Sequence, residues 1–253
     1  PKRLIYSQLG LTAPQPLQSE RGILGVMMEV VNKNPLDKKK ILSKLNNHLR
    51  TRVSLEIFDS ISSTNDFLLK REIKEDKKMK ICIAEEQTKG RGRRGKSWIS
   101  PKFKNIYFSV GSFLEKEDLS GLSIATALSV SEVLTEFNVK ALIKWPNDLL
   151  VNNKKICGIL IETAKEAELI KVVIGIGLNV NMEYSELIDQ KWTSMKLEKK
   201  QSIDRNLIIV EMIKKLSSTL IKFERENFGY FNERFAPLDL SLIHISEPTR
   251  HER

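Results

Sequence analysis

The sequence predicts an α+β fold, a mixed β-sheet with helices packed on one side, and three observations carry that prediction. Residues 120–137 and 204–226 repeat apolar side chains at helical spacing over long stretches. Short runs rich in apolar and β-branched residues at 53–58, 81–84 and 105–112 have the length and composition of strands. Residues 141–181 read as three or four strands joined by tight turns. Strand runs interrupted by a few long helices fit a sheet covered by a helical layer.

Residues 1–34 show no clear element, and Thr12-Ala13-Pro14-Gln15-Pro16 is loop-like. They are read as a leader, disordered or left by an expression vector, with a transit segment as the alternative because the stretch is basic and has no acid before Glu20. Residues 36–49 read as one helix, with Leu36, Ile41, Leu42, Leu45 and Leu49 on a face. Val53–Phe58 alternates as a strand does. Ser63-Thr64 can cap a helix running through Phe67-Leu68-Leu69. In the 120–137 helix Val130, Val133, Leu134 and Phe137 fall at i, i+3, i+4 and i+7. Asn152-Asn153 is the expected hairpin tip. Ile209, Met212, Ile213, Leu216, Leu220 and Phe223 form the stripe of the 204–226 helix. Residues 35–240 therefore read as one domain. Residues 241–253 are set aside from fold reasoning because they resemble vector-encoded read-through.

The 253 residues can bury a sizeable core, and 41% hydrophobic content is that of a globular chain. No stretch approaches the ~18 apolar residues of a membrane span. Cys82 and Cys157 lie in apolar, strand-like runs and read as buried thiols of a reducing compartment. The net charge of +10 permits a nucleic-acid partner. The surplus is scattered, however, over Lys38-Lys39-Lys40, Lys77-Lys78, Lys154-Lys155 and Lys199-Lys200, which read as solvated turns and helix faces. His48 and His244 are isolated, and no Cys/His spacing suggests a zinc site.

The most informative stretch is Gly90-Arg91-Gly92-Arg93-Arg94-Gly95-Lys96-Ser97-Trp98. Glycines let a backbone approach a ligand closely, and successive free N–H groups form an anion-binding concavity. Arginines add planar donors for carboxylate and phosphate, and Trp98 offers a flat stacking face. The loop reads as a grip on something with both phosphate and an aromatic ring. A nonspecific Arg/Gly nucleic-acid tract or a solvated basic turn are the plainer readings. Gly90 to Ser97 also matches the phosphate-loop consensus, but that loop needs a helix opening at its lysine, and Pro101 disfavours helical geometry just before it.

Four further blocks accompany the loop: Asp59-Ser60-Ile61-Ser62-Ser63-Thr64-Asn65 upstream, and Lys144-Trp145-Pro146-Asn147-Asp148, Lys155-Ile156-Cys157-Gly158-Ile159-Leu160-Ile161-Glu162 and Gly175-Ile176-Gly177-Leu178-Asn179 downstream. In this order and spacing they resemble the biotin protein ligase family over roughly residues 35–240. The resemblance implies that family's fold and a two-step reaction. Biotin is activated by ATP to biotinyl-5′-AMP, then transferred to a lysine of a biotin carboxyl carrier domain of a biotin-dependent carboxylase. It puts Ser63, Thr64, Asn65 and Gln87 on biotin's ring system, Gly90 and Arg91 over the tail and carboxylate, and Arg93 between carboxylate and phosphate. Trp98 would stack on adenine, with Lys96 beside the nucleotide in an open role. Lys144, Asn147 and Asp148 would face the phosphates, with Asp148 the Mg²⁺ ligand. Lys155 would neutralise the carboxylate and the transferring oxygen. Gly158, Gly175 and Gly177 would let strands pass close to biotin, and Asn179 would contact the nucleotide. The catalytic set so implied is Lys155, Arg91, Arg93 and Lys144. Each has a plainer local reading: Ser63-Thr64 an N-cap, Asn147-Asp148 a turn, Gly175-Ile176-Gly177 a bulge, Lys155 a hairpin lysine.

Further expectations follow from the resemblance. The enzyme would be cytoplasmic and free of membrane, with pairing of two copies along a sheet edge. No DNA partner is expected, because residues 1–34 carry no helix–turn–helix pattern. The 14 residues after Asp239 are too few for the family's C-terminal SH3-like barrel. Two alternatives accompany the ligase reading: a shortened chain that binds biotin but is weakly active or inactive, and a lipoate or octanoate ligase of the same superfamily.

Overall fold

The computed structural model describes residues 34–71, 79–114, 118–166, 169–226 and 229–240. The expected leader and the read-through tail lie outside the described residues, Asn34 apart. All that follows concerns the compact unit beginning at Pro35.

Its centre is a seven-stranded sheet of order β1-β2-β3-β7-β6-β5-β4. The strands are β1 (Val53–Phe58), β2 (Met79–Ala84), β3 (Ile106–Leu114), β4 (Leu142–Lys144), β5 (Asp148–Val151), β6 (Lys154–Glu166) and β7 (Leu169–Leu178). Only β1 and β2 run parallel; every other pairing is antiparallel, so the sheet is mixed as the sequence predicts. The 141–181 region resolves into four strands. Asn152 and Asn153 turn the β5–β6 hairpin with φ of 49° and 59°, a left-handed pair that asparagine tolerates better than most residues.

The expected single helix over 36–49 is instead two: α1 (Lys38–Ser43) and α2 (Asn47–Arg52). Each has its own N-cap: Asp37 accepts from the Lys40 N–H, and Asn46 accepts from the Leu49 N–H. The second cap ends the apolar periodicity. Helix α3 (Thr64–Lys70) starts at Ser63, whose hydroxyl accepts from the Asp66 N–H. The two long helices are α4 (Leu122–Glu136) and α6 (Arg205–Glu226); short α5 (Met195–Lys199) and α7 (Gly229–Phe235) complete the set of helices named here. Helix α4 is buried almost all round, from Leu122 to Leu134, as a helix between sheet and outer helix must be.

The sheet's two faces differ in a way that positions the site. Alternation places Ile81, Ile83, Phe108, Val110, Ile174, Ile176 and Ile159 in the main core with α4 and α6. The opposite face takes the intervening residues. Register there lines up Cys82–Ser109–Gly175–Leu160 in one row and Ala84–Tyr107–Gly177–Gly158–Asp148 in the next. These rows are rich in small side chains. Helix α3 covers part of this second face through Leu68, packed with Cys82 and Val173. The long helices thus share one face, and a short one lies on the other.

A buried ion pair braces the end of β2. Arg205, fully buried, donates to Glu85 Oε2 at 2.6 Å and to the Asn105 carbonyl at 3.1 Å. Glu85 also accepts from the Leu36 N–H at 2.6 Å. This fixes the chain where it leaves the sheet for the glycine–arginine loop.

Candidate active site

The small-residue rows floor an open cleft, and the walls come from three directions. One wall is the start of α3. Thr64 donates to Gln87 Oε1 through its N–H at 2.9 Å and its hydroxyl at 3.1 Å. Ser109 on the floor donates to Asn65 Oδ1 at 2.6 Å and lies 2.7 Å from the Thr64 hydroxyl. Asn65 Nδ2 then donates to Glu162 Oε2 at 2.9 Å. Ser63, Thr64 and Asn65 are all buried.

The second wall is the glycine–arginine loop, which forms a two-stranded finger rather than a helix start. Trp98 N–H donates to the Gly90 carbonyl at 2.9 Å, Gly92 N–H to Lys96 at 2.6 Å, and Arg91 bridges Ser97. The tip turns through Arg94 and Gly95 at φ 55° and 74°. No helix follows Lys96, so the phosphate-loop reading lapses. Gly90 sits beneath the finger: a Cβ there would lie 2.7 Å from Ser100 Oγ, so its glycine serves the loop's own closure.

The third wall joins β5 and β6. Asn147 is locked to Ile159 by its backbone carbonyl and its side-chain Nδ2, both at 2.9 Å, and it accepts from Arg93 at 2.9 Å. Lys155 Nζ meets Asp148 Oδ1 at 2.9 Å and stands 5.3 Å over the Trp98 ring. Trp98 itself rests on the glycine floor. A Cβ on Gly177 would lie 2.5 Å from Trp98 Nε1, and one on Gly158 2.8 Å from its ring. The buried indole N–H has no hydrogen-bond partner there. Gly175 makes room for something else: a Cβ there would fall 2.8 Å from Asn65 Cγ.

Most residues singled out by sequence therefore converge. Lys96 and Asn179 lie around the far side of Trp98, in a second cleft with Leu187 and Trp192. Asn179 is buried and donates to the Thr193 carbonyl at 3.0 Å, so its amide is partly engaged within the fold. Lys144 is exposed on edge strand β4, opposite Asp148. Ser109 and Ser100 hydrogen-bond to lining residues and carried no sequence signal beyond Ser109's place in strand alternation; Asp66 lies outside the lining, paired with Arg91.

Burial raises Cys82 to about 12, tempered by the nearby Arg71 charge, and raises Cys157 and Tyr107 as well. All three stay protonated at neutral pH, which leaves no thiolate nucleophile at the floor. No group of three or more His, Cys, Asp or Glu placed to hold a metal occurs among the described residues. No helix among them is long and apolar enough to cross a membrane.

The model for the biotin/lipoate A/B protein ligase family matches residues 57–179, spanning the floor and all three walls. The chain is 31% identical over 201 residues to the biotin–[acetyl-CoA-carboxylase] ligase of Mycobacterium tuberculosis, covering 76% of this chain and 74% of that protein. The chain belongs to this family. It is also 37% identical over 210 residues to the bifunctional ligase/repressor BirA of Escherichia coli, covering 81% of this chain but only 63% of that protein's length. Among solved structures, the biotin protein ligase of Aquifex aeolicus in complex with biotin and ATP superposes with a TM-score of 0.66 at 32% identity, covering 74% of this chain and 78% of that one.

Proposed function

We propose that this chain is a biotin protein ligase: it joins biotin to AMP using ATP, then passes the biotinyl group to a lysine of a carboxyl carrier domain. The observation that carries this reading is the charge layout of the cleft. An uncharged, hydrogen-bonding wall (Ser63, Thr64, Asn65, Gln87) faces a cationic end (Arg93, Lys155) across a glycine floor. A neutral ureido ring and an anionic reacting end need such a division.

In the first step a biotin carboxylate oxygen attacks the α-phosphorus of ATP, and the bond to pyrophosphate breaks. Two anions must approach, so preorganised cations and N–H donors lower the barrier. Lys155 and Arg93 supply the charge, each already held by Asp148 or Asn147. Asp148 is one carboxylate, which fits a Mg²⁺ that arrives on the nucleotide's phosphates and keeps its waters. In the second step the acceptor amine attacks the carbonyl carbon and AMP leaves with the electron pair. Trp98, Lys96 and Asn179 are assigned to the nucleotide, Lys144 to the phosphates at the rim, and Gly90 and Arg91 to the lid over biotin. The setting is cytoplasmic, and the acceptor is the carrier domain of a biotin-dependent carboxylase.

Incubating the protein with biotin and MgATP and measuring pyrophosphate release and bound biotinyl-5′-AMP by mass spectrometry tests the reading. A parallel arm with lipoate separates the two branches of the family; faster adenylation of lipoate would overturn the biotin assignment. Transfer to a carrier domain, read by gel shift with streptavidin, tests the second step.

A further inference from the structure

We propose that Arg91 is a latch, a positioning residue that holds the glycine–arginine finger shut through Asp66 and Glu162, and that its side chain does not contact the substrate. The proposal rests on the ligase reading only for what the latch encloses. Arg91 Nη2 pairs with Asp66 and lies 2.9 Å from Glu162 Oε2. The two carboxylates belong to different elements: Asp66 to the first turn of α3, Glu162 to β6, on the same face as Gly158 and Leu160. One guanidinium thus ties the finger to the α3 wall and to a floor strand.

The electrostatics point the same way. A guanidinium shared by two carboxylates leaves a group of net charge −1, a poor neighbour for a substrate carboxylate. Without Arg91 the two acids would lose the cation they share, and Glu162 would keep only the neutral donor Asn65 Nδ2, at 2.9 Å, among its contacts named here. Arg93 differs: its guanidinium is held by the neutral Asn147 and keeps its full charge for a ligand. The finger's internal bonds do not attach it to the walls. The other side-chain anchors of its segment 90–98 on the walls among the described contacts are Arg93 on Asn147 and Trp98 on the floor and under Lys155. Arg91 lines the same cleft, but its charge is taken up by two carboxylates where that of Arg93 is not, so Arg91 is the anchor that can persist while the ligand comes and goes.

The first test needs no ligand. Trypsin cleavage within residues 89–96 is timed on the free protein as wild type, Asp66→Asn, Glu162→Gln and the double variant, each checked for an unchanged melting curve. These pairs are partly exposed, with side-chain accessibilities of 41% for Arg91, 31% for Asp66 and 24% for Glu162, so the effect is modest. Each single change should speed cleavage about 2- to 5-fold and the double about 5- to 20-fold. Salt at about 0.5 M should speed the wild type and leave the double variant nearly unchanged. Equal cleavage in all four proteins overturns the latch.

The second test reads biotin. Dissociation should quicken in the acid variants while adenylation at saturating biotin and ATP holds, a change in KM without one in kcat. Arg91→Met should cost little more in the double-variant background than the double change alone. A full additional loss there would show that Arg91 touches the substrate and overturn the proposal. If wild type binds no biotin, the ligase reading fails, and the cleavage series alone decides the latch.

Discussion

Two glycines two residues apart on β7 should respond to the same methyl group in opposite ways. In Gly175→Ala the new Cβ falls on the Asn65 side chain, 2.8 Å from Cγ and 2.9 Å from Nδ2. Asn65 is buried and cannot yield without giving up its partners. It accepts from Ser109 at 2.6 Å and donates to Glu162 at 2.9 Å and to the Leu160 carbonyl at 3.3 Å. One bond to a charged group and one or two neutral ones are together worth about 2–4 kcal/mol. For a domain of this size that lowers the melting temperature by roughly 5–15 °C. In Gly177→Ala the Cβ meets the Trp98 ring, 2.5 Å from Nε1, at the far end of a side chain on an exposed finger. Trp98 can lift away, so the fold should lose under ~1.5 kcal/mol. A ligand lying on the floor has no such freedom, and its affinity should fall about tenfold or more. Calorimetric melting and biotin titration of both variants test the pair. If Gly175→Ala melts within about 2 °C of wild type, or Gly177→Ala binds biotin normally, the two-row account of the floor is wrong.

Other outcomes are expected. Lys155→Ala should slow adenylate formation about 10- to 100-fold, the value of a lost charge-assisted contact of roughly 1.5–3 kcal/mol, as measured by pyrophosphate release. Binding of biotin and MgATP should shift the emission of Trp98, and the change should vanish in Trp98→Phe while Trp145 and Trp192 remain. Arg205→Met leaves Glu85 buried without its cation and should cost about 3–5 kcal/mol, read from denaturant unfolding. Cys82 and Cys157 should resist thiol reagents in the folded protein at pH 8. Because Cys82 moves from 9.0 up to about 12 on folding, the unfolded chain loses that proton first, so stability should decline as pH rises from about 9 towards 12.

The sheet was readable because strand alternation is local. Ile81 and Ile83, or Ile174 and Ile176, announce the core face, and the residues between them must line the other. The break at Asn46 was legible too, but only through its capping chemistry, which the run of leucines from 36 to 49 masked. Helix α5 escaped notice because five residues give no periodicity; its marks are the Ser194 cap and the left-handed Lys200 at φ 59°. In the site, Ser63, Thr64 and Gln87 could be grouped by motif, but their mutual bonds depend on how β2 returns beside α3. The Arg91–Glu162 contact spans 71 positions, and no local pattern specifies which acid an arginine will find at that separation.

The floor and the core are products of one pattern, and this has a chemical consequence. Successive residues on one face of a strand are about 7 Å apart, so the Gly175 and Gly177 rows are separated by about that distance. The Gly175 row carries Asn65, and Glu162 with its Arg91 stands one position beyond Leu160 on the same face of β6. The Gly177 row ends at Asp148 and Lys155, with Arg93 above. An acid-flanked neutral wall and a cationic end thus sit side by side on a strip whose glycines bring backbone close to whatever lies there. A bound molecule with one uncharged hydrogen-bonding ring and one anionic terminus has one favourable direction on that strip: ring towards Asn65, anion towards Lys155 and Arg93. Reversal would place the anion against Glu162 and Asp66 and strand the ring among cations. On the proposed ligase reading, binding in this direction would bring the reacting carboxylate to the end where the cations are held.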